Sequence, residues 1–246
     1  MRGRFITFEG GEGAGKSTQI RLLAERLGRA GLRAVTTREP GGTPGAEIIR
    51  HIVLAGVGKL LGSDAEALLF AAARDDHVRS LIDPALAGGA WVLSDRFIDS
   101  TRVYQGKLGA VDPKLIRAME RVTIGDLLPD LTIILDIPVD VGLGRAAARR
   151  GDAAADRFES ENSDFHQRLR EAYLAAATEE PQRCAVVDAN AAVDAVADRV
   201  WSVVSQRLAI PSPPSASTTE LLANTIAKGS SGGSARKTKP RLAKQS

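Results

Sequence analysis

Eight residues near the start of the chain have the spacing of a phosphate-binding loop. Residues 10–17 fit the pattern G-x-x-x-x-G-K-[ST] without a mismatch, between an apolar stretch at 4–9 and an amphipathic stretch at 16–30. Glycines let backbone N–H groups turn toward an anion, and the positive end of the following helix attracts it. In such a loop Lys16 reaches the β and γ phosphates and Ser17 holds Mg²⁺. The segment therefore predicts a nucleoside triphosphate site.

Glu12 is unusual within this loop, because a carboxylate that faced the phosphates would repel them. One interpretation is that its side chain projects toward a second site and accepts hydrogen bonds from a sugar hydroxyl. The other interpretation is a solvated loop acid. The loop sequence alone leaves both open.

Two further residue pairs have types suited to a second, phosphorylated ligand. Asp95 and Arg96 follow the apolar run 91–94, and ligands of open α/β sheets bind at the carboxyl ends of strands. Asp95 would hold Mg²⁺ through water there, and Arg96 would clamp a phosphate. Phe70 and Arg74 are four residues apart on a predicted helix, so they share a face on which a ring stacks on a base and a guanidinium donates to it. Taken singly, the pairs also fit a surface ion pair and a core phenylalanine beside a surface arginine.

Other classes of phosphate-loop protein fit the sequence less well. A GTPase has Asp-x-x-Gly after one strand and Asn-Lys-x-Asp after another. Here the third residue after Asp95 is Ile98, the third after Asp136 is Val139, and Asn-Lys-x-Asp does not occur. Motor proteins need a longer chain than 246 residues. A small kinase fits best.

The composition is that of an ordinary folded protein, with 43% hydrophobic and 26% charged residues. Because no apolar run reaches about 18 residues, no membrane span is predicted. The N-terminus lacks the longer apolar region of a signal peptide, so we expect a cytoplasmic protein without membrane contact. The single cysteine, Cys184, excludes an internal disulfide, and the three histidines have no metal-ligand spacing.

The basic balance of the chain resides in residues 211–246. Six basic residues and one acidic residue give this segment a net charge of +5, whereas the rest has 27 basic and 29 acidic residues. Its Pro-, Ser- and Gly-rich composition cannot bury enough apolar surface to fold. We therefore expect a domain at 1–210 and a disordered basic tail. The near-neutral domain argues against nucleic-acid binding as the main role, except through the tail.

Short apolar runs alternate with helical patterns up to residue 210. The predicted strands are 4–9, 32–37, 91–94, 131–135 and 185–187, and the predicted helices include 16–30, 47–55, 63–86, 164–177 and 193–208. Strands that alternate with helices imply βαβ units. We expect an α/β fold, a three-layer αβα P-loop NTPase with a five-stranded, mostly parallel sheet flanked by helices.

These residues stand in a series of ordered motifs that resembles the bacterial thymidylate kinases over residues 3–208. The motifs are FEGGEGAGKST at 8–18, TREPGGT at 37–43, LFAAAR at 69–74, DRFIDSTRVYQG at 95–106, PDLT at 129–132 and DRFE at 156–159. The resemblance implies transfer of the γ-phosphoryl group of ATP to dTMP, giving ADP and dTDP, with Mg²⁺ as cofactor. It also implies a homodimer and a mobile lid at about 145–161.

The resemblance implies roles for individual residues as well. Phe70 would stack on thymine, Arg74 would donate to its 4-carbonyl and so disfavour cytosine, and Tyr104 would disfavour ribose. Arg50 and Arg96 would hold the phosphate of dTMP. The implied dTMP set is Glu12, Glu39, Arg50, Phe70, Arg74, Arg96, Ser100, Thr101, Tyr104 and Gln105. The implied ATP set is Gly10, Gly11, Glu12, Gly13, Ala14, Gly15, Lys16, Ser17, Thr18 and Arg145, with Ser17 and Asp95 as ligands of Mg²⁺.

The chain resembles the subgroup of the family in which the lid, rather than the phosphate loop, supplies the catalytic arginine. The variable positions of the phosphate loop hold no basic residue, and the transition state of phosphoryl transfer spreads negative charge over the transferred group. Arg157 is the first candidate and Arg149 the second, whereas Arg150 is expected on a solvated helix face. The expected catalytic set is Lys16, Asp95, Arg96, Arg149 and Arg157.

Two residues depart from the family pattern. Phe97 stands where many members have Tyr or His, and Arg102 stands where the family has a smaller or neutral residue. Arg102 is expected either to reach the site or to point to solvent. Two alternatives stay open: a related kinase for another nucleotide, and a nucleotide-gated nucleic-acid-binding protein that uses the basic tail.

Overall fold

The computed structural model describes residues 2–56, 60–151 and 157–210. The predicted tail, 211–246, and residues 152–156 of the predicted lid lie outside the described residues, so the domain boundary near 210 stays a prediction. Among the described residues, no helix has the length and apolar character needed to cross a bilayer.

Five parallel strands form the sheet at the centre of the fold. They are β1 (Phe5–Glu9), β2 (Ala34–Arg38), β3 (Trp91–Asp95), β4 (Leu131–Asp136) and β5 (Cys184–Asp188). Their order in the sheet is β2-β3-β1-β4-β5, and every neighbouring pair is parallel. The predicted α/β fold with a five-stranded sheet is confirmed.

Helices connect the strands and cover both faces of the sheet. They are α1 (Lys16–Arg29), α2 (Pro44–Leu54), α3 (Ser63–His77), α4 (Asp83–Ala87), α5 (Ile98–Thr101), α6 (Pro113–Thr123), α7 (Val139–Arg150), α8 (Ser163–Glu179) and α9 (Val193–Leu208). Ile6 and Leu93 pack with residues of α1 and α9 on one face, whereas Phe5 and Val92 pack with the segment around Ile82 on the other. Because both faces are covered, β1 is buried along its whole length.

The prediction of one continuous helix over residues 63–86 is wrong. It is broken by a π-helical stretch, Val78–Ile82, in which the N–H of Asp83 donates to the carbonyl of Val78, five residues back. Pro84 explains the break, because proline has no N–H to donate and its ring clashes with the preceding helical turn. At the start of α3, Gly62 occupies the N-cap position and has no side chain to cap the helix.

The parallel arrangement gathers the candidate site at one edge of the sheet. β1 aligns Phe8 with Asp95, and β2 aligns Arg38 with the same residue. The N–H of Arg96 donates to the carbonyl of Phe8 at 2.9 Å, and the N–H of Glu39 donates to the carbonyl of Asp95 at 2.8 Å. The three segments that follow β1, β2 and β3 therefore lie side by side at their carboxyl ends, where open α/β sheets bind ligands.

Candidate active site

A cavity of about 410 Å³ lies at the carboxyl ends of β1, β2 and β3. Six of the residues that line it had no binding or catalytic role assigned from the sequence: Arg38, Pro40, Leu54, Phe97, Phe158 and Glu159. The predicted residues that line it are Glu12, Gly13, Ala14, Gly15, Lys16, Ser17, Thr18, Glu39, Arg50, Phe70, Arg74, Asp95, Arg96, Ser100, Thr101, Tyr104, Gln105 and Arg149. Within the part of the chain that the structure describes, the predicted residues outside its lining are Gly10, Gly11, Arg145 and Arg157.

The phosphate loop connects β1 to α1 and holds the ammonium of Lys16 across its turn. Lys16 Nζ donates to the carbonyl oxygens of Gly10 and Gly11 at 3.1 and 2.9 Å. Gly10, Gly13 and Gly15 have φ between +67° and +131°, a region that favours glycine. Burial, together with the positive charge of Arg96, lowers the pKa of the Lys16 ammonium from its usual value.

The loop also lies directly against α7, the helix that leads into the predicted lid. A Cβ atom on Gly13 would lie 1.9 Å from the carbonyl oxygen of Gly142, and a Cβ on Gly142 would lie 2.6 Å from that of Glu12. Real Cβ atoms do not approach backbone this closely. Two glycines therefore permit a backbone contact between the phosphate loop and α7.

Ser17 and Asp95 meet at the start of α1. Ser17 Oγ donates to Asp95 Oδ2 at 2.7 Å. A hydroxyl and a carboxylate are hard oxygen ligands of the kind that Mg²⁺ takes together with phosphates and water. In the described ranges no three His, Cys, Asp or Glu side chains converge in a way that could hold a metal ion by themselves. The pair predicted as metal ligands is thus brought together, and its chemistry fits Mg²⁺ bound alongside phosphates.

Glu12 pairs with Arg96 and turns away from solvent. Arg96 Nη2 donates to Glu12 Oε1 at 2.8 Å, and the Glu12 side chain is 15% exposed. Burial opposes ionisation of Glu12, but the charges of Lys16 and Arg96 outweigh it and lower the pKa of its carboxyl. The interpretation as a solvated loop acid is therefore wrong.

Arg96 directly follows β3, and several contacts hold its side chain in place. Its φ is +72°, a left-handed conformation that costs a non-glycine residue about 1 kcal/mol or more. Its Nη1 donates to Ser100 Oγ at 3.2 Å and to Tyr173 Oη at 3.0 Å, and its guanidinium lies 5.1 Å from the centre of the Tyr104 ring. These contacts fix the orientation of the guanidinium in the wall of the cavity.

Glu9, the last residue of β1, was missed by the sequence analysis. It holds the segment that follows β3 through buried hydrogen bonds. Its buried carboxylate accepts hydrogen bonds from the Phe97 N–H at 2.8 Å, from Ser100 Oγ at 2.7 Å and from Tyr173 Oη at 2.9 Å. Burial, reinforced by the charge of Asp99, raises the pKa of the Glu9 carboxyl to about 7. The available signal was an acidic residue at the end of an otherwise apolar strand.

Arg74 is buried rather than on the surface, with 4% of the residue exposed. Its Nε donates to Glu39 Oε2 at 2.8 Å, and its Nη2 donates to the Phe97 carbonyl at 3.1 Å and to Thr101 Oγ1 at 3.0 Å. The half-buried Phe70, one turn earlier on α3, lines the same cavity. The alternative of a core phenylalanine beside a surface arginine is therefore wrong.

The loop after β2 joins the Arg74 side of the cavity to Arg50. Arg50, on α2, donates from Nη1 to the carbonyl of Pro40 at 2.6 Å. Glu39, the residue before Pro40, holds Arg74. The two arginines expected at opposite ends of dTMP are thus connected through two adjacent residues of one loop.

The arginines of the predicted lid differ in their surroundings. Arg149 lines the cavity, is 65% exposed and donates to Glu159 at 3.3 Å, and Arg150 donates to the same carboxylate at 2.8 Å. Arg157 is paired with Glu66 on α3, with Nη2 2.9 Å from Oε1, and its side chain is 14% exposed.

Arg145 and Arg102 are bound elsewhere. Arg145 donates to the carbonyl of Ala189 at 3.1 Å. Arg102 donates to Glu120 at 2.7 and 2.9 Å and to Glu180 at 2.7 Å, so neither expectation for it holds. The hydrogen bond and the charge of Glu120 raise the pKa of Arg102.

Comparisons with known proteins agree on one family. A family model described as thymidylate kinase matches residues 8–200. The thymidylate kinase of Nitrobacter winogradskyi is 71% identical over 207 residues, which are 84% of this chain and 90% of that protein. The thymidylate kinase of Bradyrhizobium diazoefficiens is 67% identical over 214 residues, 87% of this chain and 93% of that protein. A crystal structure of thymidylate kinase from Ehrlichia chaffeensis is similar with a TM-score of 0.67 at 33% identity, covering 83% of this chain and 100% of that one.

Proposed function

The chain belongs to the thymidylate kinase family, and we propose that the cavity at the carboxyl ends of β1, β2 and β3 is where it transfers the γ-phosphoryl group of ATP to dTMP, giving ADP and dTDP. One observation carries the proposal. The phosphate loop with Lys16 and the buried Arg74 beside Phe70 line the same cavity, so a phosphate donor and a base-bearing acceptor meet there.

ATP binds through the phosphate loop. The loop N–H groups and Lys16 would hold the β and γ phosphates, and Ser17 and Asp95 are the residues that would hold Mg²⁺. The bound Mg²⁺ neutralises charge that develops on the phosphates. The hydrogen bonds from Lys16 to two carbonyl oxygens of the loop keep its ammonium group in position.

dTMP lies across the other half of the cavity. Phe70 stacks on the thymine ring, and Arg74 donates to its 4-carbonyl, where cytosine would present an amino donor instead. Thr101 and Gln105 line the base, and Tyr104 lies beside the sugar. Arg50 and Arg96 hold the phosphate, and Glu12 accepts from the sugar 3′-hydroxyl while it pairs with Arg96.

The reaction needs no general base. A phosphate monoester has a second pKa of about 6, so the acceptor is already a dianion near pH 7. The obstacle is the approach of two polyanions. Arg50 and Arg96 neutralise the acceptor, Lys16 neutralises the donor, and positioning supplies the remaining acceleration.

Of the two lid candidates, the surroundings favour Arg149 as the arginine that reaches the transferred group. Arg149 lines the cavity, whereas Arg157 is paired with Glu66 outside it. In this proposal Arg157 attaches the end of the lid to α3, and Arg149 supplies charge to the transition state.

A coupled ADP-release assay tests the proposal. ATP and Mg²⁺ are supplied with dTMP, dUMP, dCMP, UMP, CMP, AMP or GMP, and a strong preference for dTMP is expected. Arg74→Ala is expected to lower the dTMP-to-dCMP ratio of kcat/KM by roughly tenfold or more. Arg79→Ala is the matched control, because Arg79 pairs with Asp75 on an exposed surface. Activity confined to another monophosphate would favour a related kinase, and an unchanged ratio in Arg74→Ala would remove Arg74 from base recognition.

We also propose a cytoplasmic homodimer whose catalytic domain is residues 1–210. Ile48 and Ile52 are 65% and 36% exposed and lie four residues apart on α2, so they present one apolar face. Light scattering is expected to give twice the chain mass, and Ile48→Glu is expected to lower it to a monomer. A chain of residues 1–210 is expected to keep the wild-type kcat, and a large loss would contradict that boundary.

A further inference from the structure

His77 lies at the end of a chain of buried hydrogen bonds that leads to Arg74. Its side chain is fully buried. His77 Nδ1 lies 3.0 Å from Glu39 Oε1, and its Nε2 lies 2.7 Å from Thr37 Oγ1. Because a carboxylate only accepts, Nδ1 carries the proton that it donates to Glu39. Both ring nitrogens therefore have defined partners.

Glu39 connects this histidine to the arginine. Its Oε1 faces His77 and its Oε2 accepts from Arg74 Nε at 2.8 Å, so its two oxygens have different partners. The terminal torsion of a glutamate has a broad energy minimum, and a carboxylate held at one oxygen alone can turn. The bond from His77 removes that freedom.

Arg74 is oriented by the carboxylate and by two further acceptors. Besides Glu39, its guanidinium donates to the Phe97 carbonyl and to Thr101 Oγ1. Contacts at Nε and at Nη2 fix the plane of the guanidinium as well as its position. A rotation of Glu39 would tilt that plane.

We propose that His77 is a positioning residue for recognition of the base: by holding Glu39 Oε1 it fixes the carboxylate that orients Arg74. The proposal rests on the proposed role of Arg74 in reading thymine. It also gives Glu39, which the resemblance placed in the dTMP set without a stated contact, a specific role. Glu39 acts on the base side of the cavity, through Arg74.

The loop after β2 closes tightly over this chain. A Cβ on Gly42 would lie 2.5 Å from Thr37 Oγ1 and 2.7 Å from His77 Nε2, and Gly42 has φ of +90°. Glycine therefore lets the loop backbone cover the Thr37–His77 bond. The same loop contains Glu39. The backbone of this loop therefore packs closely against the histidine that contacts Glu39.

Two amide substitutions of His77 separate the bond to Glu39 from the bond to Thr37. The amide nitrogen of Asn is near the position of histidine Nδ1, so His77→Asn retains a donor for Glu39. The amide of Gln is near the position of Nε2, so His77→Gln retains the contact with Thr37 and loses the donor to Glu39. The measured quantity is the ratio of kcat/KM for dTMP to that for dCMP, with the melting temperature of each variant.

His77→Gln is expected to lower that ratio by roughly tenfold through a higher KM for dTMP, and His77→Asn by less than about threefold. Equal ratios in both variants and the wild type would overturn the proposal, whatever the melting temperatures. If His77→Gln does not fold, His77→Leu, which also lacks the donor to Glu39, replaces it, and a ratio within experimental error of wild type there would equally count against the proposal. Arg74→Ala distinguishes the two levels: loss of selectivity in that variant with none in His77→Gln refutes only the positioning role.

Discussion

Arg149 and Arg150 offer a matched pair for testing the lid arginine. They are adjacent at the end of α7, carry the same charge and pair with the same carboxylate, Glu159. Arg149 lines the cavity, and Arg150 is outside its described lining. Arg149→Ala is therefore expected to slow phosphoryl transfer far more than Arg150→Ala does.

The size of the effect follows from the charge that Arg149 would place beside the transferred group. Two unit charges about 4 Å apart interact by about 4 kcal/mol at an effective dielectric constant of about 20. Since each 1.36 kcal/mol in the barrier changes a rate tenfold, kcat should fall by about 10³. Each variant loses one ion pair with Glu159, whose side chain is 9% exposed, so this loss is common to both variants and does not account for a difference between them.

The assay is steady-state ADP release at saturating ATP and dTMP, with KM measured for each substrate. Arg149→Ala is expected to lower kcat with little change in either KM, and Arg150→Ala to stay within about threefold of wild type. Comparable kcat values in the two variants would refute the reasoning. A loss of about 10³ in Arg157→Ala instead would assign the role to Arg157.

Three further predictions concern the charged side chains of Lys16, Arg183 and Glu9. Lys16→Ala is expected to abolish turnover, and a kcat within tenfold of wild type would remove Lys16 from the reaction. Arg183→Met is expected to lower the free energy of unfolding by about 3–5 kcal/mol, because Arg183 donates to both oxygens of the buried Asp99. Urea titration checks this, and adding Asp99→Asn should recover most of the loss. Glu9 binds its proton more tightly in the folded chain, so stability should fall by about 3 kcal/mol as the pH rises from 4.5 to 7. Glu9→Gln should flatten that slope, and an unchanged slope would exclude Glu9 as its cause.

Local patterns predicted the fold and the phosphate end of the site. β1 and β4 are buried on both faces, so their sequences are nearly continuous apolar runs that are easily recognised. The phosphate loop is a contiguous motif whose geometry depends on its own glycines. Where geometry is set within a few neighbouring residues, the sequence was sufficient.

Contacts between distant residues were not predictable in this way. Glu9 and Tyr173 are 164 positions apart, and Glu39 and His77 are 38 apart. A histidine on a helix has the same sequence signature whether it faces solvent or a buried carboxylate. The polar networks that hold the binding residues therefore required the structure.

The predicted lid shows the same limit on a smaller scale. The density of arginines at 145–157 indicated a basic segment, but the direction of each side chain depends on the partner that it meets in the fold. Arg157 finds Glu66, 91 positions away, whereas Arg149 and Arg150 find the nearby Glu159. Ranking these arginines requires knowing which acids fold against them.

The close backbone contact between Gly13 and Gly142 gives α7 a point about which it can tilt. Gly142 lies near the start of α7 and Arg149 near its end, about 10 Å further along at about 1.5 Å per residue. If the two glycines are the fulcrum, a tilt of about 10° displaces the Arg149 end by about 2 Å. Under the proposed role of Arg149, a small tilt of α7 at this contact would change how closely Arg149 approaches the transferred group. Adding one methyl group at either glycine would move the fulcrum and misplace the arginine without touching it.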